Sequence, residues 1–290
     1  MEIGFVPYAI LLASVVACFS GRYRLALVLI GLGTICGLWT GGLTILTLPP
    51  ILLLGGSLWL ATKPSVPRVL QAILYGIFSF LALALASHLL PGFRNLKIFD
   101  KVQFSADSVP FTMYLNFDKT LVGVFLLIFF IRPHTLRDRN AGAARQTGWI
   151  LLILVSLLLP LCLMIGYARV DPKWPPVIWI INNLFFVCVA EESLFRGFVQ
   201  KGLSRILPDH PLGKITSLVT AALLFGLAHF RGGWAYVALA SMAGLFYGYA
   251  YMRTNKIESA IVTHFGLNLV HISLFSYPAL ATGPSLLHSV

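Results

Sequence analysis

Apolar runs about as long as a bilayer is thick recur along the whole chain and are separated by short polar breaks. A membrane-spanning helix needs about 20 mostly apolar residues. Ten stretches approach this length: 3–20, 25–40, 42–62, 69–91, 120–131 with its flanks, 149–170, 177–203, 214–230, 234–252 and 258–277. The pattern predicts an all-α, polytopic transmembrane helix bundle of about 8–10 spans. The polar segment 100–118 is expected to lie at the membrane interface.

Composition supports a membrane protein, since 58% of the 290 residues are hydrophobic and only 11% are charged. A soluble domain carries about 25% charged residues. The net charge of +11 is spread over short loops, so it indicates membrane orientation and not nucleic-acid binding. We therefore expect a multi-pass integral protein of the plasma or inner membrane, with membrane lipids as partners and no nucleic acid.

Basic residues in the loops predict how the chain is oriented, because cytoplasmic loops carry an excess of Lys and Arg. With the N-terminus outside, the inside loops hold 13 basic residues and the outside loops hold 6. The inside set is Arg22, Arg24, Lys63, Arg68, Arg132, Arg137, Arg139, Arg145, Lys201, Arg205, Lys214, Arg253 and Lys256. The prediction is N-out and C-out. Glu2 and the lack of a basic leader argue against a cleavable signal.

The four cysteines all lie in apolar stretches without paired spacing, so we expect small buried side chains and neither a disulfide framework nor a metal site. They are Cys18, Cys36, Cys162 and Cys188. Ionisable residues within apolar stretches concentrate after residue 148. The chain is therefore divided into an N-terminal membrane region (1–148), a C-terminal membrane region that holds the candidate chemistry (149–277) and a short tail (278–290).

Two carboxylates and a guanidinium interrupt the apolar run at Glu191, Glu192 and Arg196. Charges inside a membrane are costly and usually mark a functional site. Glu192 and Arg196 are four residues apart and share a helix face, so they can pair. Glu191 lies about 100° away from Glu192 around the helix axis, so it can face another neighbour and remain unpaired by Arg196. A buried carboxylate without a cation has the proton affinity that a general base requires. A purely structural Glu–Arg pair is the alternative.

Histidines follow in two later apolar stretches. His229 ends one of them, and His264 lies four residues before Asn268 on one face of another. His229 could instead be an interfacial residue with its hydrogen bonds satisfied, and the pair of His264 and Asn268 could join helices by hydrogen bonds. The predicted boundaries put His264 near the inside end of its helix and His229 near the outside end of its own. Their depths would then differ by roughly 10 Å, unless the chain folds back at Arg231-Gly232-Gly233 and the helix that carries His229 sits deeper.

The ordered motifs EExxxR, FxxxH and HxxxN, each in an apolar helix, resemble those of the CAAX protease and bacteriocin-processing family of intramembrane proteases. This family includes the type II CAAX prenyl endopeptidases, and the resemblance covers about residues 149–277. It implies a glutamate-dependent endopeptidase with a conical catalytic cavity in the C-terminal half. Its substrate would be a peptide or a membrane protein, in some members a prenylated one.

The resemblance also implies a role for each motif residue. Glu191 would activate water, while Glu192 and Arg196 would support it. His229 would hold the water or the scissile carbonyl, and His264 with Asn268 would stabilise the oxyanion. No cofactor is expected; the alternative is Zn²⁺ bound by Glu191, His229 and His264, since two His and a Glu can bind zinc.

Two other classes of function remain open from the residues alone. An ion- or proton-coupled transporter would use the same buried carboxylates and histidines as a relay. A non-catalytic membrane scaffold or peptide-immunity protein would keep the fold without the chemistry. The sequence indicates neither the physiological substrate nor the oligomeric state.

Overall fold

A computed structural model describes residues 2–133 and 141–283, and it confirms a polytopic bundle of apolar helices. Each of the ten apolar stretches contains a helix. These are α1 (Val6–Phe19), α2 (Tyr23–Trp39), α3 (Leu48–Ala61), α4 (Arg68–Ala86), α5 (Phe117–Leu126), α6 (Ala141–Met164), α7 (Val177–Ile206), α8 (Pro211–Leu227), α9 (Gly233–Thr254) and α10 (Ile257–Leu274). Arg137, Arg139 and the tail after residue 283, which the orientation and domain predictions include, lie outside the described residues.

The helices differ in whether they are long enough to cross a membrane. Within the described ranges, α4, α6, α7 and α10 meet the length and apolarity that a span needs, which makes four. A fifth is added if α8 and α9, bent by 58° at their junction, count as one span. By this criterion the expected 8–10 spans reduce to four or five. The first two helices fall short because Gly21 and Gly41, both at positive φ, follow their last turns.

A small two-stranded sheet departs from the all-α prediction. Its strands are β1 (Leu96–Val102) and β2 (Phe111–Leu115), and they fall in and beside the segment expected at the membrane interface. Phe, Tyr and Thr in β2 favour a strand, and side chains of β2 alternate between exposed and buried from Thr112 onward. The sequence of β2 therefore carries the period-2 pattern of a strand, although the segment as a whole stands out by its polarity.

The described chain divides into two compact units. The first contains α1 to α5 and the middle of α7, Phe185–Leu194. Its core includes Phe78, Phe117 and Leu121, all almost fully buried. Cys18, Cys162 and Cys188 are buried, as predicted, whereas Cys36 is only half-buried, so the prediction of a buried side chain is wrong there.

The second unit contains α6, α8, α9, α10 and both ends of α7. Small residues on α9 allow close helix packing there. A Cβ on Gly244 would lie 3.2 Å from the Ala222 Cα of α8, and one on Gly248 would meet Leu218 of the same helix. This is the arrangement that small residues repeated every four positions favour in membranes.

Candidate active site

Helix α7 is the most enclosed of the four long apolar helices, with 61% of its apolar window buried against 33% for α4 and α6. Its backbone is not uniformly α-helical. Asn182–Cys188 and Ser193–Gln200 form wider π-helical turns, and the single α-helical turn between them is Val189–Glu192. π-helical turns are rare and often mark functional sites. The two adjacent glutamates therefore lie at a local change in helix geometry.

Glu191 and Glu192 belong to the first unit, and both are buried. The ammonium Nζ of Lys119, at the start of α5, lies 2.5 Å from the Glu191 carboxylate Oε1. The expectation that Glu191 lacks a cationic partner is therefore wrong. Lys119 is one of the six basic residues that the orientation prediction places in outside loops, and a separation of 72 residues gives no signal that it meets Glu191.

Polar contacts within the first unit hold the first turn of α5. The side-chain amide of Asn95 donates to Asp118 Oδ1 over 3.0 Å, and its oxygen accepts from the backbone N–H of Phe117 over 2.9 Å. His88 Nδ1 lies 2.7 Å from Asp118 Oδ2. Asp118 is 1% exposed, so its carboxylate is satisfied by these neighbours and not by water. The position of Lys119 follows from this anchoring.

Arg196 belongs to the second unit and is fully buried. Its guanidinium carbon lies 4.5 Å from the centre of the Phe225 ring and 5.3 Å from that of Tyr247. Its Nη2 donates a hydrogen bond of 2.9 Å to the carbonyl of Gly244. Contacts of a cation with aromatic faces and a carbonyl offset part of the cost of removing the charge from water.

The two histidines contact one aromatic ring. The centre of the Phe225 ring lies 4.6 Å from that of His229 and 5.6 Å from that of His264. His264 also stacks on Tyr247 with ring centres 4.5 Å apart. Both histidines therefore contact Phe225, and the difference in their depth stays a prediction. Helix α8 ends just before His229, and the chain bends by 58° at the break between α8 and α9.

Hydrogen bonds define the orientation of His229 and Asn268. His229 Nδ1 donates to the Phe225 carbonyl over 2.8 Å. The Asn268 side-chain amide donates to Asn183 Oδ1 of α7 over 3.2 Å. Asn183 was missed by sequence reasoning, because an asparagine in an apolar run carries no motif of its own.

The site residues form two groups, one in each unit. The first unit brings Glu191 together with Lys119, and Glu192 follows on the same helix turn. The second unit brings Arg196, His229 and His264 together around Phe225, with Asn268 one helical turn beyond His264.

The described residues do not fit a metal centre. Across 2–133 and 141–283, no group of three or more His, Cys, Asp or Glu side chains could hold a metal ion. The buried Arg196 guanidinium also packs on the ring that both histidines contact, and a fixed positive charge there opposes a divalent cation. We therefore derive no chemical step through zinc.

Comparison with known proteins finds a family match for the part of the chain that contains these residues. Residues 172–270 match the family model described as type II CAAX prenyl endopeptidase Rce1-like. This range contains all six motif residues, from Glu191 to Asn268. No curated protein and no solved structure matches the chain significantly. Residues 172–270 therefore match a type II CAAX prenyl endopeptidase Rce1-like domain, and this domain lies in a multi-pass membrane protein.

Proposed function

We propose that this protein is a glutamate-dependent intramembrane endopeptidase that hydrolyses a peptide bond in a membrane-associated or prenylated substrate. The observation that carries the proposal is the family match over residues 172–270, which contain the three motifs in order. The burial of Glu191 and Glu192 in an apolar helix supports it, because ionisable side chains inside a membrane are costly and usually mark a functional site.

In the proposed reaction, Glu191 takes a proton from a water molecule, and the resulting hydroxide attacks the scissile carbonyl carbon. The tetrahedral intermediate carries its negative charge on the former carbonyl oxygen. Glu191 then returns the proton to the amide nitrogen as the C–N bond breaks. A carboxylate that serves as base and then as acid in this way contributes about 100- to 10,000-fold in rate.

The remaining motif residues would act on charge and orientation. His264 and Asn268 would donate hydrogen bonds to the oxyanion, which is among the larger contributions available to an enzyme. The bond from Asn268 to Asn183 orients the amide plane, and stacking on Tyr247 fixes the plane of the His264 ring. His229 would hold the water or the carbonyl, while Glu192 and Arg196 would support Glu191.

A direct test compares wild type with Glu191→Gln in detergent, using a farnesylated CAAX peptide and its unmodified form, with cleavage read by mass spectrometry. The matched control is Asp209→Asn, an exposed carboxylate paired with Lys214. We expect at least about a 100-fold loss of rate for Glu191→Gln and none for the control. Preference for the farnesylated peptide would identify a prenylated substrate.

The same assay includes a chelator. Undiminished cleavage in its presence is the expected result for a metal-free site. Loss on chelation and recovery with zinc would overturn the metal-free mechanism, and full activity of Glu191→Gln would overturn the role of Glu191.

A further inference from the structure

The ion pair between Lys119 and Glu191 joins the family domain to a helix outside it. Both side chains are largely buried, with 19% of Lys119 and 10% of Glu191 exposed, and Nζ lies 2.5 Å from Oε1. Removing two opposite charges from water costs several kcal/mol per ion, so a buried pair is weak evidence of added stability. A lysine held at such a position therefore calls for a role other than packing.

Helix α5 is held against α7 by a close backbone approach next to this pair. A Cβ on Gly123 would lie only 2.7 Å from the Ala190 Cα, so α5 passes α7 at a point where only glycine fits. Lys119 and Gly123 are four residues apart and share one face of α5. Ala190 directly precedes Glu191. The approach at Gly123 therefore sets the distance that the Lys119 side chain bridges.

Hydrogen bonds also hold the backbone of Lys119. The N–H of Lys119 donates to Asp118 Oδ1 over 2.8 Å, and the same oxygen accepts from the amide of Asn95. The backbone of Lys119 is thus held in the first turn of α5 by these hydrogen bonds.

We propose that Lys119 is a positioning residue that holds the Glu191 carboxylate for catalysis, so the catalytic apparatus extends beyond residues 172–270 into α5. This inference rests on the proposed function. The ammonium compensates the carboxylate charge in an apolar helix, and its contact with Oε1 fixes the plane of the carboxylate. Small errors in the placement of a reacting group can cost about 100-fold in rate.

The main test replaces the charge while keeping the length of the side chain. We expect Lys119→Met to lower kcat by about 100-fold with KM within about twofold of wild type, because Lys119 acts through Glu191 and not on the substrate. Lys119→Arg should retain more activity than Lys119→Met. Methylammonium added to Lys119→Ala should restore part of kcat. The control Lys101→Met removes an exposed lysine and should match wild type.

A second variant moves the helix and leaves every charge in place. Gly123→Ala should lower kcat because its new Cβ meets the Ala190 backbone, whereas Gly76→Ala, in a helix position with no atom within 4 Å, should be neutral. Thermal unfolding in detergent is followed for each variant.

The outcomes separate this inference from the proposed function. If wild type is active, Glu191→Gln is inactive and Lys119→Met is as fast as wild type, then the proposed role of Lys119 is overturned and the proposed function stands. A loss in Lys119→Met that tracks loss of folded protein, with no rescue by Arg or methylammonium, would make the pair structural and overturn the inference. A fully active Glu191→Gln would instead overturn the proposed function.

Discussion

Arg196 is a fully buried cation whose guanidinium contacts aromatic rings, among them Phe225 and Tyr247, and donates to the carbonyl of Gly244. Lysine keeps the charge but has no planar fork and stacks poorly on aromatic rings. We expect Arg196→Lys to destabilise the protein by about 1–3 kcal/mol, the usual cost of losing a hydrogen bond to a charged group.

Thermal unfolding in detergent measures this effect, with the exposed Arg253→Lys as the matched control. An unchanged unfolding temperature in Arg196→Lys would show that the guanidinium geometry has no structural role.

At this scale the sequence identifies those residues whose chemistry conflicts with their surroundings. Glu191, Glu192 and Arg196 can be recognised because charges in an apolar run are costly. Lys119 and Asn183 could not be recognised, since each meets its partner across 72 and 85 residues of chain and neither belongs to a motif. Tyr247, which stacks on His264, reads in the sequence as one more aromatic residue of an apolar helix.

The pair of helices α8 and α9 depends on glycine at their closest approach. A Cβ on Gly226 would lie 2.6 Å from the Val237 carbonyl and would overlap Ser241. Because a backbone carbonyl cannot move aside as a side chain can, we expect Gly226→Ala to destabilise the protein by about 1–3 kcal/mol. Gly56→Ala, with no atom within 4 Å, is the control and should be neutral or slightly stabilising.

Unfolding temperatures of the two variants provide the measurement. Equal stability of Gly226→Ala and Gly56→Ala would contradict the packing described for α8 and α9.

The loop between β1 and β2 is tied to the segment that follows α6 by a bidentate ion pair. Arg169 donates to both carboxylate oxygens of Asp107, over 2.6 and 3.0 Å, and thereby holds the pKa of Asp107 below its ordinary value of 3.8. A lowered pKa in the folded state stabilises the fold above the unfolded pKa and loses that contribution as pH falls through the folded value.

We therefore expect the stability difference between wild type and Asp107→Asn to be constant near neutral pH and to shrink below about pH 4. The pair is half exposed, so the difference will be small. Thermal unfolding between pH 7 and pH 3 measures it, and a difference that persists unchanged to pH 3 would contradict the assignment.

The positions of the helices were predictable from the sequence, whereas their lengths and the regularity of their backbones were less so. All ten apolar stretches contain helices, because apolarity over about 20 residues is a strong signal. The π-helical turns of α7 were not predictable, since they depend on packing around the helix and not on local propensity. The bend of 58° between α8 and α9 had only the local glycines as a sign.

The whole chain is predicted to have both termini on the outer side of the membrane, from the excess of Lys and Arg in alternate loops. A reporter that is active only outside, fused after the last residue, should therefore be active, and a reporter that is active only inside should not. The opposite result would reverse the predicted orientation. A fusion in the loop between α3 and α4, which holds Lys63, should show the inside result and serves as the internal control.

The central claim is that Glu191 acts as a base that activates water. Single-turnover hydrolysis in ¹⁸O-labelled water, followed by mass spectrometry of both the product and the protein, tests it most directly. The account predicts one ¹⁸O atom in the new carboxylate of the product and none in Glu191, with no product from Glu191→Gln. Label in the Glu191 side chain would show that the carboxylate attacks the substrate itself, and cleavage by Glu191→Gln at the wild-type rate would show that Glu191 has no catalytic role.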